Sequence, residues 1–467
     1  MTPAARGKLV TGGLALLGAA ALAWWLWPRQ PLDLQPRVPG TDHAPGTEGG
    51  AGSNPVPRGQ LTRGEGRPAD LPGEWPQFRG PQRDGICHEP LMLNRDWAAT
   101  PPRPLWAVEV GEGYASPVVG GGRLYLLDYD REKQQDALRC LSLADGREIW
   151  RYSYPVEIKR NHGMSRTVPA LASNRVVSLG PKCHVLCADA LTGELRWSLD
   201  LTRQFGTRVP PWYAGQCPLI EGDRVILAPA GKNELLLAVD LHTGQTVWST
   251  PNPRGWAMTH SSVMPFQLGQ RRFYLYCGSG GVAMVSAQDG ALVWDSTDWK
   301  ISIATVPSPL PLPDGRVFLT GGYNAGSLML QFTERDGKPQ AQTLFRLTAE
   351  QFGAAQHTPV FHNGHLFGVR ADGQFVCLSL DGKVVWSSGP NTNFGLGPFL
   401  LAGDLFFVMD DLGTLTLLEA STAGYKPLGT ARVLTGHDAW GPLVLVGGRL
   451  LARDLTRLVC LEVGRPR

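Results

Sequence analysis

Leu236–Trp248 reads LLAVDLHTGQTVW: an apolar run (Leu236 to Val239), a polar tight turn at Thr243-Gly244, and a second extended run closed by Trp248. Four other segments follow the same plan. They are Cys140–Trp150 (CLSLADGREIW), Cys187–Trp197 (CADALTGELRW), Met284–Trp294 (MVSAQDGALVW) and Cys377–Trp386 (CLSLDGKVVW, one residue shorter in the turn). Each opens on a small or apolar residue, turns at Gly and ends on Trp. Self-similarity at a fixed period decides a fold before any local propensity does.

Outward from each copy the order is constant. A loop leads to Ser/Thr-Pro or a relative, then come an apolar strand, a second apolar strand and the Trp-closed hairpin. The starts fall at Ser116-Pro117, Val168-Pro169, Cys217-Pro218, Ser261-Ser262, Ser308-Pro309, Thr358-Pro359, Gly397-Pro398 and Gly441-Pro442. Repeat five is worn, with Phe345 in the Trp place, and repeat seven has no Trp. Repeat eight ends at its third strand, Leu458–Val463, while a spare strand, Pro104–Gly111 (PLWAVEVG), precedes repeat one and carries Trp106. Four short strands per period of roughly 40 to 50 residues predict propeller blades. Pairing the spare strand into the last blade removes the open edges. The fold class expected is therefore an all-β, eight-bladed β-propeller; seven blades is the alternative if repeat five is an insertion.

Ahead of the repeats, Arg6 and Lys8 precede an uncharged stretch, Leu9 to Trp27, with Trp24, Trp25 and Trp27 at its far end. About 20 apolar residues cross a bilayer, and interfacial tryptophans with a leading basic pair suit an N-inside anchor. The competing reading is a cleaved signal peptide, cut after Ala21-Leu22-Ala23. Residues 1–27 are thus expected to be a signal anchor or signal peptide, and 28–73, rich in Pro and Gly, a disordered linker. Either way the propeller, 74–463, is expected outside the cytoplasmic membrane: single-pass and facing the periplasm, or released there. Glu74–Ile86 (EWPQFRGPQRDGI) interrupts this plan and predicts a compact plug or clasp. A net charge of +3 over 467 residues, with no basic run interleaved with aromatics, argues against nucleic acid as a partner.

The pattern Ala-x-Asp-x-x-Thr-Gly-x-x-x-Trp, met in full by Ala238, Asp240, Thr243, Gly244 and Trp248, resembles the tryptophan-docking motif of quinoprotein-type eight-bladed propellers. Trp106, Trp150, Trp197, Trp294 and Trp386 occupy the same closing place. Residues from about 75 to 463 resemble the PQQ-like repeat proteins related to BamB, a component of outer-membrane protein assembly. The opening WPQFRGPQRDGI resembles the exported version frequent in planctomycete bacteria. The resemblance implies the fold and, through BamB, a protein-binding or scaffold role in the cell envelope. It also raises a PQQ-dependent oxidoreductase, whose relatives hold the quinone under a disulfide between adjacent cysteines, with Ca²⁺ on Glu, Asn and Asp and an Asp base. This chain has no Cys-Cys pair and no CxxCH. No cofactor is expected, PQQ included.

Nor is a metal expected. Cys183, His184 and Cys187 sit close in sequence, but Cys140, Cys187, Cys377 and Cys460 fall at one repeat position, where Cys acts as a small hydrophobe; zinc asks for paired units at tighter spacing. A Cys183–Cys187 disulfide is the remaining alternative. No catalytic triad, carboxylate pair or HExxH is present, so no catalytic residue is assigned. The binding candidates are loop residues ahead of each innermost strand, which a propeller gathers round its axis: Tyr114, His162, Arg166, Trp212, Tyr213, Trp256, His260, Gln356, His357, Asn393, Asp438 and Trp440. Aromatic area with a few directed polar groups is what a ligand or peptide site needs. The alternative is that these rings cap strands and fill the channel mouth. A glycan-binding propeller is a further reading of the same aromatics.

Overall fold

The computed structural model describes residues 16–22, 24 and 53–465. The chain divides into two units, 1–42 and 43–467. In the first unit, residues 16–22 and 24 are helical and exposed. The rest of the expected anchor or signal segment, and residues 28–52, lie outside the described residues. Among the described residues no helix is long and apolar enough to cross a membrane.

The second unit is a ring of eight antiparallel sheets. The first blade runs outward from Val118–Gly120 through Arg123–Asp130 and Gln135–Ser142 to Glu148–Pro155. Blades two to seven repeat this order. The eighth takes Val444–Val446, Arg449–Arg453 and Arg457–Glu462 from the C-terminus and its outer strand, Arg103–Glu109, from the N-terminal side. The closure is the one expected, and it buries what would otherwise be an open ladder on both strands. Repeat five is a full blade, Leu310–Pro311 to Lys338–Leu347, so the ring has eight blades.

One register position is shared round the ring. Trp248 lies opposite Ala238, Trp150 opposite Cys140, Trp197 opposite Cys187, Trp294 opposite Met284, Trp386 opposite Cys377, Trp106 opposite Cys460 and Phe345 opposite Met329. All four of these cysteines are fully buried, and all eight cysteines of the chain are unpaired, so the Cys183–Cys187 disulfide does not form. Cys187 lies within the strand His184–Asp189 and Cys183 at the bend before it, φ +65°, and the extended residues between them keep the two sulfurs apart. The turn explains Asp and Thr: Asp240 accepts hydrogen bonds from the backbone of His242 and Thr243 and from the Thr243 hydroxyl. It explains Gly too. Gly244 has φ +73°, and a Cβ there would stand 2.7 Å from the ring of Trp197 in the preceding blade. Most of these Trp cover the next blade's turn, and several donate the indole N–H to its carbonyls: Trp106 to Leu143, Trp150 to Ala190, Trp197 to Leu241 and Trp386 to Ser421.

Blade seven has Gly429 at this register position, opposite Leu417. A Cβ on Gly429 would stand 2.7 Å from Cβ of Trp97, a buried residue from the segment before blade one, whose ring lies 6.0 Å from that of Phe407. The missing Trp is therefore supplied from elsewhere in the chain.

The Ser/Thr-Pro starts form a belt round the axis. The backbone N–H of Val168 donates to Cys217 Sγ, that of Cys217 to Ser262 Oγ, that of Ser262 to Ser308 Oγ and that of Ser308 to Thr358 Oγ1. In blade four the belt residue is Ser262, one position on from the Ser261-Ser262 start read by alignment.

Part of the expected linker is ordered. Val56 is fully buried, its carbonyl accepts from the Tyr152 hydroxyl, and Gln60–Arg63 adds a fifth strand to the outer edge of blade one. A blade edge carries unpaired N–H and C=O groups that any extended chain nearby can satisfy, whatever its composition. The linker expected at 28–73 is thus corrected at its C-terminal end.

Candidate functional site

Glu74–Ile86 fills the axial channel. Trp75 exchanges two backbone hydrogen bonds with Val119 of blade one, the Pro76 carbonyl accepts from Leu171 of blade two, and Ile86–Cys87 runs parallel to Leu401–Ala402 of blade seven. Two arginines lock it. Arg79 donates to the carbonyls of Thr358, Pro359, Arg83 and Asp84. Arg83 reaches the carbonyls of Pro218 and Val263, the ends of the innermost strands of blades three and four. Burial holds both guanidinium groups down at about 10, and dense hydrogen bonding to backbone carbonyls is how a buried cation is kept. The plug read from the sequence is present, and it turns a through-channel into a cup.

The cup is a cavity of about 330 Å³ with Trp75, Phe78, Arg79 and Gly85 at its lining from the plug, a volume that suits a small ligand. Tyr114, His162, Arg166, Trp212, His260, Gln356, His357 and Trp440 line it, as expected of loops that precede innermost strands. The other four candidates do not, and three of them have local partners. The hydroxyl of Tyr213 donates to the Lys159 carbonyl and its ring packs with Tyr129, Ile158 and Met164. Trp256 covers the Gly278–Gly281 turn of blade four, its own backbone held by Asn252. Asn393 caps its own loop through Gly395. All three are spent on local structure. Asp438 also stays off the lining and accepts from the Tyr114 hydroxyl at 3.2 Å. Missed in the sequence were the plug residues as lining and Tyr323, half-exposed in the loop between the second and third strands of blade five. Those loops open on the same face as the blade-to-blade loops, and the Gly-Gly-Tyr-Asn turn was the available signal.

The polar groups are of two kinds. Burial, with Arg166 nearby, pushes His260 down to about 4, and burial with Arg79 nearby does the same to His357. Both rings are therefore neutral at pH 7, and Nε2 of each has no hydrogen-bond partner. Arg166 lies 5.0 Å over the Tyr114 ring, which itself stacks on Trp440 at 5.1 Å. Trp212 and Tyr213 both adopt left-handed backbone, φ +62° and +69°. Each costs about 1–3 kcal/mol in a non-glycine residue, and such outliers cluster where a side chain must be aimed.

No Asp or Glu lines the cup. The calcium-plus-base set that PQQ chemistry requires has no donors there, and among the described residues no group of three or more His, Cys, Asp or Glu could hold a metal. The residues present do not fit that cofactor arrangement.

An eight-bladed ring braced by Trp over Gly turns defines a quinoprotein-type, PQQ-like propeller. The family described as outer membrane protein assembly factor BamB matches residues 134–381, and the chain belongs to it. No curated protein matches it in sequence. Among solved structures it is similar to BamB from Moraxella catarrhalis, at 16% identity over 77% of this chain and 99% of that one, with a TM-score of 0.55. It is also similar to quinohemoprotein alcohol dehydrogenase ADHIIG from Pseudomonas putida HK5, at 12% identity over 85% and 81%, with a TM-score of 0.45. At these identities the likeness is one of fold.

Proposed function

We propose that the protein is a non-catalytic binding module of the cell envelope, presenting the cup and its rim to a protein partner. Membership of the BamB family supports an assembly or protein-binding role. The observation that carries the reading is the cup itself: aromatic and cationic, closed below by the plug, and without the carboxylates that acid–base or calcium chemistry would use. The uncharged stretch Leu9–Trp27 supports a location outside the cytoplasmic membrane, tethered or released.

Photo-crosslinking in native envelopes tests this. A crosslinker at Tyr323 or His162 on the rim is expected to capture a discrete protein partner, and one at Arg335, on the tip of the outer hairpin of blade five, is expected not to. No adduct from either rim position overturns the proposal. So does dye-linked alcohol oxidation by the purified protein loaded with PQQ and Ca²⁺.

A further inference from the structure

Among the described residues the buried and half-buried arginines are held in different ways, Arg139 by the carboxylates of Asp128 and Glu148 and others by backbone carbonyls. Arg79 and Arg453 are saturated: Arg79 has four carbonyl acceptors, and Arg453 donates to the carbonyls of Asp454, Ala115, Gly111 and Leu455. These two hold chain segments together, and nothing more is asked of them. Arg166 is different. Its single hydrogen bond runs from Nη2 to the Asn161 carbonyl at 3.2 Å, its Nε is buried without a partner, and no carboxylate among the described residues pairs with it. A guanidinium presents five donors in a planar fork that matches carboxylate or phosphate. Leaving most of that fork unused in a half-buried site is costly unless something else arrives to use it.

What surrounds Arg166 narrows the arrival. Two carboxylates touch the aromatic lining without pairing with Arg166: Asp438 accepts from the Tyr114 hydroxyl, and Asp411 accepts from the Trp440 indole N–H at 2.7 Å. His260 and His357 add dipoles but no charge at neutral pH. The cup lining therefore carries the guanidinium groups of Arg79 and Arg166 and no carboxylate, and an anion is the complement. The walls supply flat area in Trp212 and Trp440, both partly exposed on the lining, while Tyr114 is buried beneath Arg166 and against Trp440. Aromatic faces bind planar rings by offset stacking.

We propose that the cup binds a carboxylate or phosphate carried on a flat aromatic body, with the anion on the free edge of Arg166 and the ring against Trp212 and Trp440. No metal takes part. The proposal rests on the reading of the cup as the binding face, and it specifies the chemistry of what enters it.

Isothermal titration of the full-length protein with three probes of one ring size tests it: 1-naphthoate, 1-naphthyl phosphate and the neutral 1-naphthalenemethanol. At least one anion is expected to bind about tenfold or more tightly than the neutral alcohol, the scale of one charge-assisted hydrogen bond set. Which anion wins identifies the natural anionic group. Arg166→Gln is expected to abolish the preference with no change in melting temperature, and Arg166→Lys to keep part of it, because charge survives and the fork does not. Should Arg166→Gln lower the melting temperature, the parent protein's discrimination between anion and alcohol decides. Equal binding of all three probes, no binding of either anion, or full anion affinity in Arg166→Gln overturns the proposal. Rim crosslinks to a protein without anion selectivity would remove this inference and leave the binding-module reading standing.

Discussion

The two faces of the ring obey opposite rules. On the face of the Asp-x-x-Thr-Gly turns, groups are repeated and most are spent: Asp240 on its own turn, Gly244 under Trp197, the indole N–H of Trp197 on the Leu241 carbonyl, with the buried indole N–H of Trp248 the exception. On the cup face the loops differ from blade to blade, and polar atoms of Arg166, His260 and His357 stay without partners. Repetition marks the residues that hold the ring; unspent polarity marks the place where a ligand could be held. Between the two runs the plug, which belongs to neither pattern but behaves like the saturated face.

That contrast can be broken most severely at the plug. Arg79→Met should destabilise the propeller by at least about 4 kcal/mol, since four carbonyls lose a donor and each unsatisfied buried group costs about 1–3 kcal/mol. Chemical denaturation followed by tryptophan fluorescence measures it, and a loss below about 1 kcal/mol would mean the plug is a passenger in the channel.

Next comes the supplied brace. Trp97→Ala should cost about 3–4 kcal/mol, the usual range for deleting a buried Trp. If it behaves instead like a surface change, Trp97 does not stand in for the blade-seven tryptophan.

A third, smaller change sharpens the role of the turn. Gly244→Ala combines a left-handed residue with a Cβ pressed on Trp197, and should cost about 2–3 kcal/mol. Thermal unfolding reads it; the control is Gly222→Ala, also at positive φ (+58°) but with open space beyond its Cβ. Equal losses at the two positions would assign the whole effect to backbone strain and none to the Trp contact.

At pH 7 the smallest effect belongs to the cup, and it grows as the pH falls. His260 and His357 titrate near 4 in the folded protein and near 6.5 when unfolded. The unfolded chain therefore takes up protons first as pH falls, so the stability tied to these neutral rings is present above about pH 6.5 and is lost progressively towards pH 4. The double variant His260→Gln/His357→Gln should flatten that part of a melting-temperature profile between pH 7 and 4. An unchanged slope would show that the two rings are not held neutral by the cup.

Much of this architecture was legible in the residues. The Trp-closed hairpin recurs because each copy meets the same neighbour, and a repeated environment selects repeated residues. The closing strand announced itself through Trp106, a brace residue outside any complete repeat. Phe345 was readable as a worn Trp because its strand kept the register. Trp97 was not readable: its partner, Gly429, lies more than three hundred residues away in the chain, and no local spacing joins them. The ordered stretch from Val56 to Arg63 escaped for a related reason, since composition predicts that a segment cannot fold alone but not that a blade edge waits for it.

The candidate site divides in the same way. That loops before the innermost strands converge follows from the fold, and most of the aromatic and cationic residues named from sequence do line the cup. Which of them remain chemically unspent does not follow. Tyr213, Trp256 and Asn393 carry the same side-chain types as their neighbours, and only their hydrogen bonds and packing reveal them as supports. The sequence by itself determined the propeller and pointed to its closure, because the repeat depends on short-range periodicity and leaves one spare strand and one missing strand; eight blades over seven needed repeat five to be seen as a full sheet. Only the tertiary structure decided that the channel is blocked, that a distant Trp completes blade seven and that Arg166 faces its cavity with most of its donors unused. Those three are facts about which groups found partners across the whole chain, and the balance between satisfied and unsatisfied polarity exists only once every segment is in place.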